Sequence, residues 1–392
     1  MDVDMFSLLL AIIYMAFISL GLPDSLLGSA WPVMQGELDV PLSYAGIVSM
    51  IIAGGTIISS LMSDRLTRKL GAGLVTACSV GLTAIALFGF SVSGSFWMLC
   101  LWGIPYGLGA GAIDAALNNY VALHYSSRHM SWLHACWGVG VSISPNIMSY
   151  CLANQHGWQM GYRSVSLIQI TLTVLLFLTL GLWKKRDSSS EEEVSANPVT
   201  LKTALKIPGV PCVLLAFFGF CALETTAGLW ASSYLVEFRK VGVETAAQFA
   251  ALFYLGETAG RFLSGFIADR FGDKQMIRVG ILVMLLGTVL VMLPIKADGA
   301  ALAGLLIIGL GAAPVYPCII HSTPVNFGKE NSQALVGIQM ASAYCGSTFM
   351  PPLFGLIAQH VHIGLYPVYL AFFAVLMLVM SERLNRVTAG RR

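Results

Sequence analysis

The chain has 392 residues, 56% of them apolar and 11% charged, and a net charge of +2. Soluble domains carry about 25% charged residues, so a water-surrounded globular core is excluded and lipid must be the solvent for most of this surface. The near-neutral balance gives no case for a nucleic-acid partner.

A membrane-crossing helix needs about 20 largely apolar residues. In chain order, spans are predicted at 5–33, 42–63, 73–91, 96–123, 131–152, 162–183, 208–235, 244–268, 276–294, 299–321, 332–358 and 365–382. The first run is longer than a signal-peptide core and lacks a basic leading segment, so it is expected to stay as a span. With both ends placed in the cytoplasm, the inner segments hold seventeen Lys and Arg and the outer loops four. That asymmetry sets the orientation; the short loops, the lack of a cleavable signal and the small size point to a bacterial cytoplasmic membrane, and a monomer is expected. The longest polar stretch, 184–207, separates a bundle over 1–183 from a second over 208–392. Its Ser/Glu run reads as a solvated linker, and 200–206 as a short amphipathic helix on the inner surface. The eight cysteines lie in or beside apolar runs and form no Cys-x-x-Cys pair. They read as small packing residues.

Ionisable residues inside spans are costly and mark sites of function. In span one, Asp24 lies between Pro23 and Gly28, where a loosened backbone lines a cavity. It is suited to accept a proton or to bind a pair of hydroxyls. In span four, Asp114 and Asn118 are one turn apart and share a face. Burial favours the neutral form of a carboxylate, so an acid here can take a proton on one side of the membrane and release it on the other. Asn119 points about 100° away from Asn118, which makes Asn118 the better placed of two amides for hydroxyl recognition. His134 in span five titrates near neutral pH or packs by a hydrogen bond. Glu224 in span seven is a third acid at membrane depth, with Trp230 beyond it as a stacking platform or an interfacial anchor. Glu257 and Arg261 are four apart in span eight and can pair directly, for structure or for substrate. Gln339 in span eleven is a polar cavity candidate. Proton coupling is assigned to Asp24, Asp114 and Glu224, and substrate contact to Asp24, Asn118, Asn119, His134, Glu224, Trp230, Glu257, Arg261 and Gln339.

The two halves repeat. Span two ends SSLMSDRLTRKLGAG and span eight ends SGFIADRFGDKQMIRVG, with Asp64-Arg65 and Asp269-Arg270 in equivalent places. Span four reads GLGAGAID and span ten GLGAAPVY. Asp24 with Gly28 corresponds to Glu224 with Gly228. Parallel repeats of six spans are a transporter layout, in which one half rocks against the other around a midplane site.

On these motifs the chain resembles the major facilitator superfamily, whose Asp-Arg pair and following basic residues appear here as Asp64, Arg65, Arg68 and Lys69, and again as Asp269 and Arg270. The resemblance implies twelve transmembrane helices in two pseudo-symmetric six-helix bundles. It also implies that these charges act as a gating latch, the carboxylate capping a helix end and pairing with an arginine. The usual glycine before the pair is Ser60 in the first copy and Gly265 in the second. More narrowly, GLGAGAIDAALNNY, the midspan Asp24 and WLHACWGVGVSISP are similar to stretches of the fucose permease-like sugar symporters. That family has glutamate and Asn-Pro where this chain has Asp114 and Asn118-Asn119. The resemblance implies proton-coupled import of a sugar or sugar derivative, with Asp114 in the coupling role. Sodium remains open, because carboxylates serve either ion. A proton-driven exporter of drugs or metabolites would use the same acids, and the seventeen methionines suit such a cavity. A sensor that binds without transport lacks any signalling appendage. No cofactor is expected, and no enzyme: no phosphate loop, metal cluster or nucleophile elbow occurs.

Overall fold

The computed structural model describes the backbone of residues 2–41, 44–187, 199–293 and 299–389, and it is all-α. The helices are α1 (Asp2–Gly21), α2 (Leu26–Glu37), α3 (Tyr44–Leu70), α4 (Ala72–Ser91), α5 (Phe96–His124), α6 (Ser127–Ala153), α7 (Gly157–Leu178), α8 (Leu180–Asp187), α9 (Leu201–Ala204), α10 (Val210–Glu237), α11 (Val243–Phe271), α12 (Asp273–Met292), α13 (Gly299–Ala312), α14 (Val315–His321), α15 (Thr323–Phe327), α16 (Lys329–Ile357) and α17 (Tyr366–Thr388). Nine described runs are long and apolar enough to cross a membrane, and one of them, Lys329–Thr388, contains both α16 and α17. The helices α6 and α11 have spanning length, 27 and 29 residues, but carry more polar side chains. Together these make the twelve spans. The first and tenth are each broken in two, at 22–25 and at 313–314.

The outward faces are apolar. Val279, Leu282, Leu286 and Val289 on α12, and Val368, Phe372, Val375 and Val379 on α17, are exposed at helical spacing. Such stripes suit lipid contact, while small residues bring the backbones together inside. The Ser/Glu part of the 184–207 stretch lies outside the described residues. Within 200–206, Leu201–Ala204 forms a single helical turn, started by Thr200, whose hydroxyl accepts the Thr203 N–H at 3.3 Å.

The chain divides into two compact units. One comprises Met1–Tyr120 and Leu133–Pro198; the other comprises Val121–Trp132 and Val199–Arg392.

In the first unit, the Gly-Leu-Gly stretch of α5 lies directly on its neighbours. A methyl group added at Gly107 would overlap Ile52 O on α3, and one at Gly109 would approach Ser79 O on α4 to 2.8 Å. Proline shapes the rest. Pro23 has no N–H, so Ser19 O loses its helical donor, and the chain turns through 22–25 before α2 begins. The side chain of Gln169 on α7 replaces the donor, with Nε2 at 2.8 Å from Ser19 O. Thr83 holds that amide in place by donating to Oε1 at 2.9 Å. Pro145 inside α6 likewise vacates Val141 O, and Ser25 Oγ fills it at 2.7 Å. Buried backbone groups in a membrane need such partners.

The second unit repeats this seam. A methyl at Gly309 of α13 would overlap Phe253 O of α11, and one at Gly311 would stand 2.6 Å from Gly280 O of α12. The Asp-Arg copies correspond less closely than their sequences imply. In the second copy Gly272 takes φ +76° and ends α11 three residues after Asp269. Thr67 holds the matching place in the first copy, cannot make that turn cheaply, and α3 runs on to Leu70. Asp64 is therefore one turn inside its helix and Asp269 is in the last turn. The glycine difference also has a cause: Gly265 makes room for the Trp132 indole, whereas Ser60 donates to Gly111 O at 3.3 Å.

Candidate functional site

Two polar clusters lie at membrane depth in the first unit. Asp24 sits in the break between α1 and α2, and its residue is exposed at the surface of the unit. Its carboxylate accepts from Tyr106 Oη on Oδ1 at 3.0 Å and from Trp137 Nε1 on Oδ2 at 2.9 Å. The break supplies the opening, while α5 and α6 supply one donor each. An exposed carboxylate flanked by two aromatic rings, each offering a hydrogen-bonding edge, is suited to hydroxyls of a small solute.

The second cluster is closed off. Asp114, Asn118 and His134 are 5%, 0% and 5% exposed, so any proton reaching them passes through protein. Asn118 Nδ2 donates to Asp114 Oδ1 at 2.7 Å and to Asp114 O at 3.0 Å. That fixes the amide, so Oδ1 faces His134, whose Nε2 lies at 3.0 Å. An amide oxygen only accepts, so the His134 tautomer carries its proton on Nε2. Donation thus runs in one direction, from His134 to Asn118 to Asp114. Phe17 stands edge-on to the imidazole at 5.5 Å between ring centres. Asn119 is buried beside this row on α5.

In the second unit, Arg261 of α11 carries two carboxylates on a single nitrogen. Its Nη2 lies 2.8 Å from Glu224 Oε1 on α10 and 2.5 Å from Glu257 Oε1 on its own helix. The Arg261 and Glu257 side chains are almost wholly buried, and Glu224 is 17% exposed. Glu257 was placed with Arg261 by its spacing; that Glu224 joins them needed the fold. Gly228, one turn beyond Glu224, leaves room for the Tyr254 hydroxyl.

The remaining candidates stand apart from these clusters. The Trp230 indole N–H donates to Pro351 O at 3.0 Å, and its ring packs on Phe354. Gln339 is buried, accepting from Thr323 Oγ1 at 3.0 Å. Asp64 pairs with Arg68 in its own helix at 2.8 Å, while Arg65 and Lys69 are exposed. Asp269 accepts the Arg128 backbone N–H at 3.0 Å and lies 3.3 Å from the Arg128 guanidinium. It thereby caps the start of α6, and Arg270 is exposed beside it. Sequence reasoning did not single out Tyr106, Trp137, Arg128, Asp273 or His321. Tyr106 precedes the Gly-Leu-Gly stretch, Trp137 lies within the quoted span-five motif and Asp273 within the quoted span-eight motif, so their positions carried a signal; Arg128 and His321 carried none.

Twelve apolar helices built as a repeat, with carboxylates and one arginine held at membrane depth, define a multi-pass membrane transporter rather than an enzyme. The chain belongs to the Major Facilitator Superfamily, whose profile matches residues 13–332 and 241–384. It is 22% identical over 383 residues to Bypass of stop codon protein 6 of Saccharomyces cerevisiae, covering 90% of this chain and 77% of that one. It is 25% identical over 315 residues to a protein of Staphylococcus haemolyticus described as a probable nitrate transporter, NarT, covering 79% of each. Among solved structures it is similar to the E. coli fucose:proton symporter FucP, with a TM-score of 0.78 at 15% identity over 96% of this chain and 98% of that chain.

Proposed function

We propose that the protein is a proton-coupled symporter that imports a small, neutral, polyhydroxylated solute, a sugar or sugar derivative, by alternating access. The observation that carries this reading is the directed row from His134 through Asn118 to Asp114. A buried acid at the end of fixed donors can exist with or without its proton, and its charge changes what the surrounding helices must solvate. Asp24 is the exposed counterpart, edged by Tyr106 and Trp137. Charge separates this reading from an anion carrier of the kind one relative is described to be. In the first unit the exposed acid, Asp24, accepts from the uncharged donors Tyr106 and Trp137, a setting that disfavours an anionic solute and suits hydroxyls. The cytoplasmic-membrane location, with both termini inside, rests on the Lys and Arg distribution. The proposal is of a monomer.

The test is external pH in a lightly buffered suspension of de-energised cells expressing the protein, with hexoses, deoxyhexoses, amino sugars and glycosides added singly. Alkalinisation by one compound is the expected result. Asp114→Asn is expected to abolish uphill accumulation, bringing the inside-to-outside ratio to unity, while exchange down a gradient persists. Uphill uptake retained in Asp114→Asn would defeat the coupling role. Acidification would mean proton-driven export, and uptake that follows sodium without a pH change would replace the proton as driving ion.

A further inference from the structure

A separate polar cluster joins residues 121–132, a connector made of the end of α5, the turn at 125–126 and the start of α6, to the ends of α11, α12 and α14; all of it lies in the second unit. His321, the last residue of α14, has an acceptor at each ring nitrogen. Nδ1 is 2.7 Å from Asp273 Oδ2, and Nε2 is 3.1 Å from the main-chain oxygen of Tyr125. A neutral imidazole has one N–H and can donate only once. Spanning both gaps with hydrogen bonds takes two protons, both on the ring or one on the ring and one on the Asp273 carboxyl. Either way, the arrangement holds one proton more than neutral histidine and ionised aspartate would bring to it.

We propose that Asp273 and His321 form a proton-binding site, distinct from the membrane-depth acids, whose bound proton fastens the 121–132 connector to α12 and α14. Loss of that proton breaks one of the two bonds and frees either Tyr125 O or the Asp273 carboxylate. The site is built rather than incidental. Ser127 Oγ donates to the other oxygen of Asp273, Oδ1, at 2.7 Å, so the carboxylate is held by the connector on one side and by His321 on the other. The two side chains are 17% and 14% exposed, so water can deliver the proton. A second tie leaves the protonation unaided: Asp269 accepts from Arg128 N–H at 3.0 Å and from Ser126 Oγ at 3.1 Å. The connector is therefore fastened by bonds that ignore the extra proton, those to Asp269 and that of Ser127 to Asp273, and by the His321 bridge to Tyr125 O, which needs it. Asp269 of α11 also acts on the ring electrostatically; around the cluster, Cys318 of α14 meets Ser127, Arg128 of the connector pairs with Asp269, His129 lies against Tyr125, and Lys274 of α12 lines the same small cavity as Ser322. From α17, Glu382 is paired with Arg278 at 2.6 Å.

Hydrogen–deuterium exchange of the purified full-length protein in detergent tests this without a transported solute. Exchange of peptides covering 121–132 would be followed over about pH 5 to 9, the range in which an imidazole changes charge, with each rate divided by its intrinsic rate at that pH. Protection should be present at low pH and fall about tenfold as pH rises, the effect of losing one charge-assisted bond. Peptides from the middle of α5 should stay protected throughout. His321→Gln should remove the step, His129→Gln should keep it, and Asp273→Asn should move it to lower pH, because the carboxylate no longer favours a proton on the ring. A flat wild-type profile overturns the proposal. So does a step that survives in His321→Gln or vanishes in His129→Gln, and if His321→Gln fails to fold, an unshifted step in Asp273→Asn does the same.

Discussion

Arg261→Met is expected to lose most of the folded protein, with a cost of about 3–5 kcal/mol, the range for removing one partner of a buried ion pair. The loss follows from geometry. Glu224 and Glu257 both lie on Nη2 of this one guanidinium, and without it two carboxylates face each other in a buried place. A thermal-stability assay on detergent-purified protein, with expression level beside it, measures the effect. Adding Glu224→Gln and Glu257→Gln to Arg261→Met should restore stability, because the charges that needed the arginine are then gone. Glu257→Gln alone should cost less than Arg261→Met, since Arg261 keeps Glu224. A single Arg261→Met variant as stable as wild type would show that the three side chains are not mutually dependent.

Gly309→Val, and separately Gly107→Val, should each cost more than about 3 kcal/mol, at or beyond the upper end of overpacking effects. The obstacle in each case is a main-chain oxygen, Phe253 O or Ile52 O, which has no rotamer to retreat into. Even alanine would overlap it, so the two helices would have to separate along their length. Gly54 is the internal comparison. It is also helical, but a methyl there meets nothing within 4 Å, so Gly54→Ala should gain about 0.5–1 kcal/mol from helix propensity alone. Midpoints of thermal unfolding for the three variants decide the matter, and equal losses at Gly54 and Gly309 would refute the close-packed seam.

Much of this architecture was legible in the sequence because lipid leaves few solutions. Apolar length gave the spans, and the repeated Gly-Leu-Gly stretches gave the correspondence between halves, which the seams at Gly107 and Gly309 reproduce in space. Pro23 announced a break beside Asp24. The spacing of Glu257 and Arg261 announced their pair. What the chain could not announce was convergence across helices. Nothing in the neighbourhood of Gln169 says that its amide will reach Ser19 O, and nothing near Glu224 says that it will share Arg261. The Asp-Arg copies show the opposite limit: their letters align, yet a single exchange of Thr67 for glycine shifts the helix end by a turn and changes what the carboxylate can touch.

The prolines carry a further consequence. A transmembrane helix that bends at proline leaves a carbonyl facing hydrocarbon, and each such group costs several kcal/mol. Here Gln169 and Ser25 cover the carbonyls vacated by Pro23 and Pro145. Ser25, however, is itself part of the break that Pro23 creates. Straightening residues 22–25 would carry its hydroxyl away from Val141 O and uncover the carbonyl in α6. The two bends are therefore interlocked: neither can relax alone without stranding a polar group, and the backbone on either side of Asp24 behaves as one piece.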